Sequence, residues 1–352
     1  AYKFGDTGGV GRCTNVEVRQ CGRSGVSACN GASITLIGTK TTVHHNCTKG
    51  KSRDYGLKVY GSSSSTIQLV SPLTKEQVSL DNGGGGNWGA SYADTNQIKT
   101  ISQAEMEAAV AAVAAVVASG NVRVPEDCKT LKKAVDWVHG DDRLTTIVVG
   151  KGEHQIDGFS LKIRSAMNIV GDLGVPKEEI VVVGGIQFQP EIQGNCHLQH
   201  LTLRQAKGTG VTGYSSFTMD DVLVEQCGGD GVTVNGTGVV GRCTNVEVRQ
   251  CGMSGVVARS GATITLIGAK TMVHHNCTKG HSDQYGLKVV SASSSTIQLV
   301  YPLTKETVST DNGDGRNWGA FRGGDINQIK TISQAEFTAV LEHEAATAEG
   351  RE

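Results

Sequence analysis

His275, Arg249 and Glu225 are the side chains in this sequence best suited to moving a proton. An imidazole changes charge near neutral pH, and a guanidinium and a carboxylate beside it can orient it. All three stand at the ends of short β-like runs. These are Val222-Leu223-Val224-Glu225, Val246-Glu247-Val248-Arg249 and Met272-Val273-His274-His275, and Arg204 closes the earlier run Leu201-Thr202-Leu203-Arg204. No nucleophile or metal cluster accompanies them in these runs, so acid–base work is the chemistry that the residue types allow. The doublets His44-His45 and His274-His275 do not read as a joint metal site, because neighbours on a strand point to opposite faces. That alternation puts His274 inside, as a hydrogen-bonded core histidine, and His275 outside.

Other candidate chemistry is weaker. The ten cysteines suggest a disulfide framework, but Cys21, Cys47, Cys227, Cys251 and Cys277 share one local context, after a Gln or Asn that ends a β-like run. A repeated position points to buried structural thiols. No C-x-x-C pair exists, so no zinc site is expected. The loops 81–88 and 311–318 look like a calcium loop only at their start. The first copy lacks the second acid and neither has the downstream Glu. They read as flexible loops with a packed Trp. Sequons begin at Asn46, Asn235 and Asn276. Asn46 and Asn276 fall in the buried ladder described next, which leaves Asn235, in a turn, as the glycosylation candidate. No metal and no cofactor are expected.

The elements that must position these residues repeat on two scales. Gly11 to Cys21 returns letter for letter as Gly241 to Cys251, and about three quarters of the aligned positions agree through Ala90 and Ala320. The segment 122–238 has no counterpart before the first copy, so the chain reads as the back part of one unit followed by a whole unit. Inside each unit runs a shorter period. Gln205-Ala206, Gln226-Cys227, Gln250-Cys251 and Asn276-Cys277 each follow a short alternating run and precede a Gly-Val or Gly-Leu pair. Their spacings of about 21, 24 and 26 residues are those of stacked repeats. One such repeat cannot bury its inward face alone, whereas a stack buries a continuous column. Aligned on cysteine, Val224, Val248 and His274 share an inward column. Gln205, Gln226, Gln250 and Asn276 form an inward amide ladder beside the thiols, and Arg204, Glu225, Arg249 and His275 line the outer face. Arg204, Glu225 and Arg249 alternate in sign, as cross-strand pairing requires.

The helix 127–138, the stretch Leu144-Thr145-Thr146-Ile147-Val148-Val149-Gly150-Lys151-Gly152-Glu153-His154-Gln155-Ile156 and the repeats of form V-x-V-x-Q-C-x-x-x-G-V resemble the right-handed parallel β-helix proteins of the pectate-lyase-like superfamily. The resemblance covers about 122–332 as a full unit and 8–101 as a partial one. It implies an all-β solenoid with short capping or linker α-helices: a partial unit at 1–101, a helical linker at 102–121, a complete unit at 122–332 and a C-terminal helix at 333–352. It also implies an activity to look for. Pectin hydrolases of this fold use clustered aspartates, but Asp220-Asp221 is the one adjacent pair in the repeats, and Asp221 aligns with Asn245 as a turn residue. Some lyases of the fold pair a Lys with an Arg. Lys288 with Arg249, and Lys58 with Arg19, are the counterparts, against the simpler reading of outward, solvated charges.

The expectation is therefore a non-catalytic, repeat-built β-helix, a structural or surface protein that engages glycans or another protein along its outer faces. The alternative is a polysaccharide-active lyase or glycoside hydrolase acting through Arg249, His275 and Lys288. Lys plus Arg (33) nearly balance Asp plus Glu (34), so neither nucleic acid nor a membrane surface is an expected partner. No apolar run reaches the ~20 residues of a membrane span. Ala1 is not an initiator Met, which points to a processed or truncated start. The late start of the first unit points to self-association, or to a longer array, through open β-helix ends. An extracellular or cell-surface location fits these features.

Overall fold

The computed structural model describes residues 2–4, 10–61, 65–290, 295–313 and 316–349. The chain is mostly β and forms two compact units, 1–115 and 116–352. The boundary falls within the helix Gln103–Ser119. Among the described residues every strand pair is parallel.

In the larger unit a nine-stranded sheet begins at Asn121–Val124 and ends at Ile329–Ile332. Its period-two pattern stacks apolar side chains in register. Val122, Ile147, Ile169, Leu198, Met219, Cys243, Leu266 and Leu299 are successive partners, each no more than 1 % exposed. A 12-stranded sheet carries two further columns, joined through the long strand Ile180–Phe188. One runs Leu203, Val224, Val248, Val273, and the other Val211, Val232, Val256, Leu287. Together they form one continuous buried core. The helix Leu131–Gly140 begins at Thr130, whose hydroxyl accepts from the Lys133 amide at 3.3 Å, and it buries Leu131, Ala134, Val135 and Val138 in that core.

The smaller unit repeats this scheme over fewer strands, with columns Ile34–Ile67–Ile98 and Val18–Val43. Its strand Tyr2–Phe4 pairs with Val26–Ala28 as Val232–Val234 pairs with Val256–Ala258, so the structural repeat reaches back before Gly11. The helices Gln103–Ser119 and Gln334–Glu349 both start from a Ser-x-x-Glu box. The Ser102 and Ser333 hydroxyls each accept from the amide of the Glu three residues on, at 3.1 Å.

The register around the histidine doublet differs from the cysteine-based alignment by one residue. Val273, not His274, follows Val248 in the buried column, and His274 is the partner of Arg249. A one-residue slip would turn the whole strand inside out, so the apolar residue decides the register and the cysteine does not. Asn276 therefore takes the place of Cys251 one strand on, and Cys277 moves to the following turn at φ 62°.

Candidate functional site

Each of the strands Thr202–Arg204, Leu223–Glu225, Glu247–Arg249 and Met272–His274 ends in the same backbone break. The next residue is left-handed: Gln205, Gln226, Gln250 and His275 have φ of 54°, 55°, 56° and 55°. Two side-by-side columns result. The strand-end column is Arg204–Glu225–Arg249–His274, and the exposed turn column is Gln205–Gln226–Gln250–His275. They line an open hollow of about 590 Å³.

The amide ladder expected inside lies outside. Gln205 donates to Gln226 at 3.5 Å and Gln226 to Gln250 at 3.3 Å, both at the surface. The buried amides are instead Asn276 and Asn312. Asn276 accepts from the Cys251 amide at 3.0 Å and donates to the Val248 carbonyl at 3.0 Å and to Asn312 Oδ1 at 3.0 Å. Asn46 and Asn82 repeat the arrangement in the smaller unit. The sequons at Asn46 and Asn276 are thus sealed, each 1 % exposed, and Asn235 ends the strand Val232–Asn235.

The charged column pairs as its alternation requires. Arg204 Nε donates to Glu225 Oε1 at 2.5 Å, and Arg249 donates to Glu225 Oε2 through Nε at 2.9 Å and Nη2 at 2.8 Å. Arg249 Nη1 reaches Glu247 at 2.8 Å. Burial pushes the Glu225 carboxyl up, but the hydrogen bonds from Arg249 and Arg204 outweigh it and hold the group below its ordinary value. Although it stands in the outward column, Glu225 is 3 % exposed, roofed by the two arginines.

His274 Nε2 lies 3.1 Å from Glu247 Oε1, and its Nδ1 lies 2.7 Å from His275 Nδ1. The smaller unit holds the same three side chains, with His44 Nε2 3.0 Å from Glu17 and 2.7 Å between the Nδ1 atoms of His44 and His45. The Glu–His–His chain was not legible beforehand. Its one sequence signal is that Glu247 and His274 fall on the same face of neighbouring strands, two positions out of register.

Lys288 stands elsewhere. It is 6 % exposed, lies 3.3 Å from Asp283 and from Gln284, and sits 4.8 Å above the Phe321 ring. It is neither a solvated charge nor part of the hollow that holds Arg249 and His275. Asp221 is left-handed at φ 52° and is gripped by Lys177 Nζ and His200 Nδ1, each at 2.7 Å, as a tie between turns. Asp314 and Gly315 of the acidic loop lie outside the described residues. Among the described residues no group of three or more His, Cys, Asp or Glu is placed to hold a metal ion, and no helix is long and apolar enough to cross a membrane. No family model, curated protein or solved structure matches the chain.

Proposed function

We propose that the units are right-handed parallel β-helices like those of the pectate-lyase-like superfamily, and that the hollow at His275 is a non-catalytic binding surface for a neutral glycan. The carrying observation is an exposed amide ladder beside a strip whose charges cancel. Arg204 and Arg249 are matched by Glu225 and Glu247 through direct ion pairs. Such a strip leaves no free cation for a polyanion. The Gln205, Gln226 and Gln250 amides offer donors and acceptors to a row of hydroxyls. The salt-bridged, ionised Glu225 is unsuited to protonating a leaving group, which weighs against a hydrolase working here. The separation of Lys288 from Arg249 weighs against a Lys–Arg lyase pair.

The competing reading, a polysaccharide lyase or hydrolase, draws on the oriented imidazole of His275. A panel of neutral and uronic-acid polysaccharides, assayed for binding, for new double bonds and for reducing ends, separates the two. Binding without either product supports the surface protein. Turnover that His275→Ala abolishes establishes the enzyme in its place.

A further inference from the structure

The hydrogen-bond chain at His275 fixes where its proton sits. A carboxylate only accepts, so the His274 nitrogen facing Glu247 Oε1 at 3.1 Å must carry the hydrogen. In neutral His274 the Nδ1 is then an acceptor. The 2.7 Å contact between the two Nδ1 atoms therefore requires His275 to donate from Nδ1. What is left on His275 is a bare lone pair at Nε2. The side chain is exposed at the hollow, and that nitrogen has no protein partner among the described residues. One added proton fits this chain at one place only, His275 Nε2, because a proton added to His274 would set two N–H groups against each other.

We propose that His275 is a proton-switched specificity residue, selecting a sugar hydroxyl when neutral and a sugar carboxylate when protonated. The inference rests on the glycan reading and names the ligand chemistry of the same site. The bare Nε2 repels an acceptor-only carboxylate and takes a hydroxyl donor. The protonated ring presents a cationic donor instead. On one side the charges balance, Glu247, Arg249, Glu225 and Arg204 lying in mutual pairs. On the other side stands Asp311, which follows the partner of His274 and repeats the left-handed turn at φ 53°. With Asp311 counted, the ring's own proton thus takes the strip from one net negative charge to neutral. Glu17, His44 and His45 build the same switch in the smaller unit.

The test has two arms on the full chain. Long-range 1H–15N spectra at pH 8 report the tautomers without any ligand, and the proposal requires hydrogen on Nδ1 of His275 and on Nε2 of His274. Calorimetry then compares a neutral oligosaccharide with its uronate counterpart at pH 8 and pH 5. The neutral-to-uronate affinity ratio should fall at least tenfold on acidification, and His275→Gln together with His45→Gln, which removes both copies of the chain, should abolish the change. Gln already occupies this left-handed position at 205, 226 and 250, so the variant keeps the backbone. Hydrogen on Nε2 of His275, or a ratio unchanged with pH, overturns the switch and leaves the binding surface standing. Failure of both sugars to bind at either pH overturns the binding surface and the switch with it.

Discussion

Val273 stands directly on Val248 in the buried column, and that contact places Asn276 under the Cys251 amide. Removing the Asn276 side chain strips partners from Cys251 N, the Val248 carbonyl and Asn312, all sealed from water. An unmet buried group costs about 1–3 kcal/mol. Asn276→Ala should therefore lose at least about 3 kcal/mol in urea unfolding, and a loss under about 1 kcal/mol would show that the ladder is ornamental.

Gly255 has no room for a side chain. A Cβ there would lie 2.4 Å from Val273 Cγ1 and 2.7 Å from the Gly286 carbonyl oxygen. Gly231 and Gly210, one and two strands earlier, meet the equivalent neighbours, a valine Cγ1 and a glycine carbonyl oxygen. Gly255→Ala should cost about 1–3 kcal/mol through overpacking. The check is a lower urea midpoint at unchanged slope.

Acid should loosen the Arg–Glu–Arg stack. Glu225 has a depressed folded value, burial opposing and the two arginines prevailing. Its stabilising share is present above the unfolded value of about 4.3 and is lost as pH falls through the lower folded value. Asp221 has the same sign, burial again opposed by Lys177 and His200. Glu225→Gln should be less stable than the wild type at neutral pH by about 1–3 kcal/mol. The gap should narrow as pH drops below about 4, and a constant gap from pH 7 to pH 3 would refute the pairing.

The thiols should be unreactive while the chain is folded. None of the ten cysteines is in a disulfide, and nine are buried, Cys21 being the partly exposed one. Burial pushes Cys243 up to about 12 and Cys128 and Cys277 up to about 11, so little reactive thiolate forms. A colorimetric thiol reagent at pH 8 should titrate Cys21 alone before denaturant is added. Rapid labelling of Cys243 in the native state would contradict the packing.

Much of the architecture was legible in the sequence because parallel stacking sets like on like. The Val222-to-Cys227 and Val246-to-Cys251 runs predicted the strands, and the signs of Arg204, Glu225 and Arg249 predicted their pairing. The histidine register was not legible from cysteines, since Cys251 lies in a buried ladder position and Cys277 in a turn, whereas Val273 keeps to the core column. The burial of Lys288 depends on Asp283, Gln284 and Phe321, brought to it by a loop and a neighbouring strand whose side chains alternate nothing. The Glu247–His274 contact is diagonal between strands, and linear spacing does not reveal it.

The amide ladder gives a graded expectation. Gln226 bonds both neighbours while Gln205 and Gln250 bond it from either side. Gln226→Ala should weaken neutral-glycan binding about tenfold, one hydrogen bond's worth or slightly more, with no change in unfolding midpoint. Equal affinity in the variant would move the binding site off this face.

The most direct measurement is calorimetric titration of the chain with neutral and uronate oligosaccharides at pH 8, with product assays on the same samples. The expected result is saturable heat with the neutral sugar, weaker or absent heat with the uronate, and no new double bonds or reducing ends. Stronger binding of the uronate, or products whose formation stops in His275→Ala, would contradict a neutral-glycan surface at the hollow.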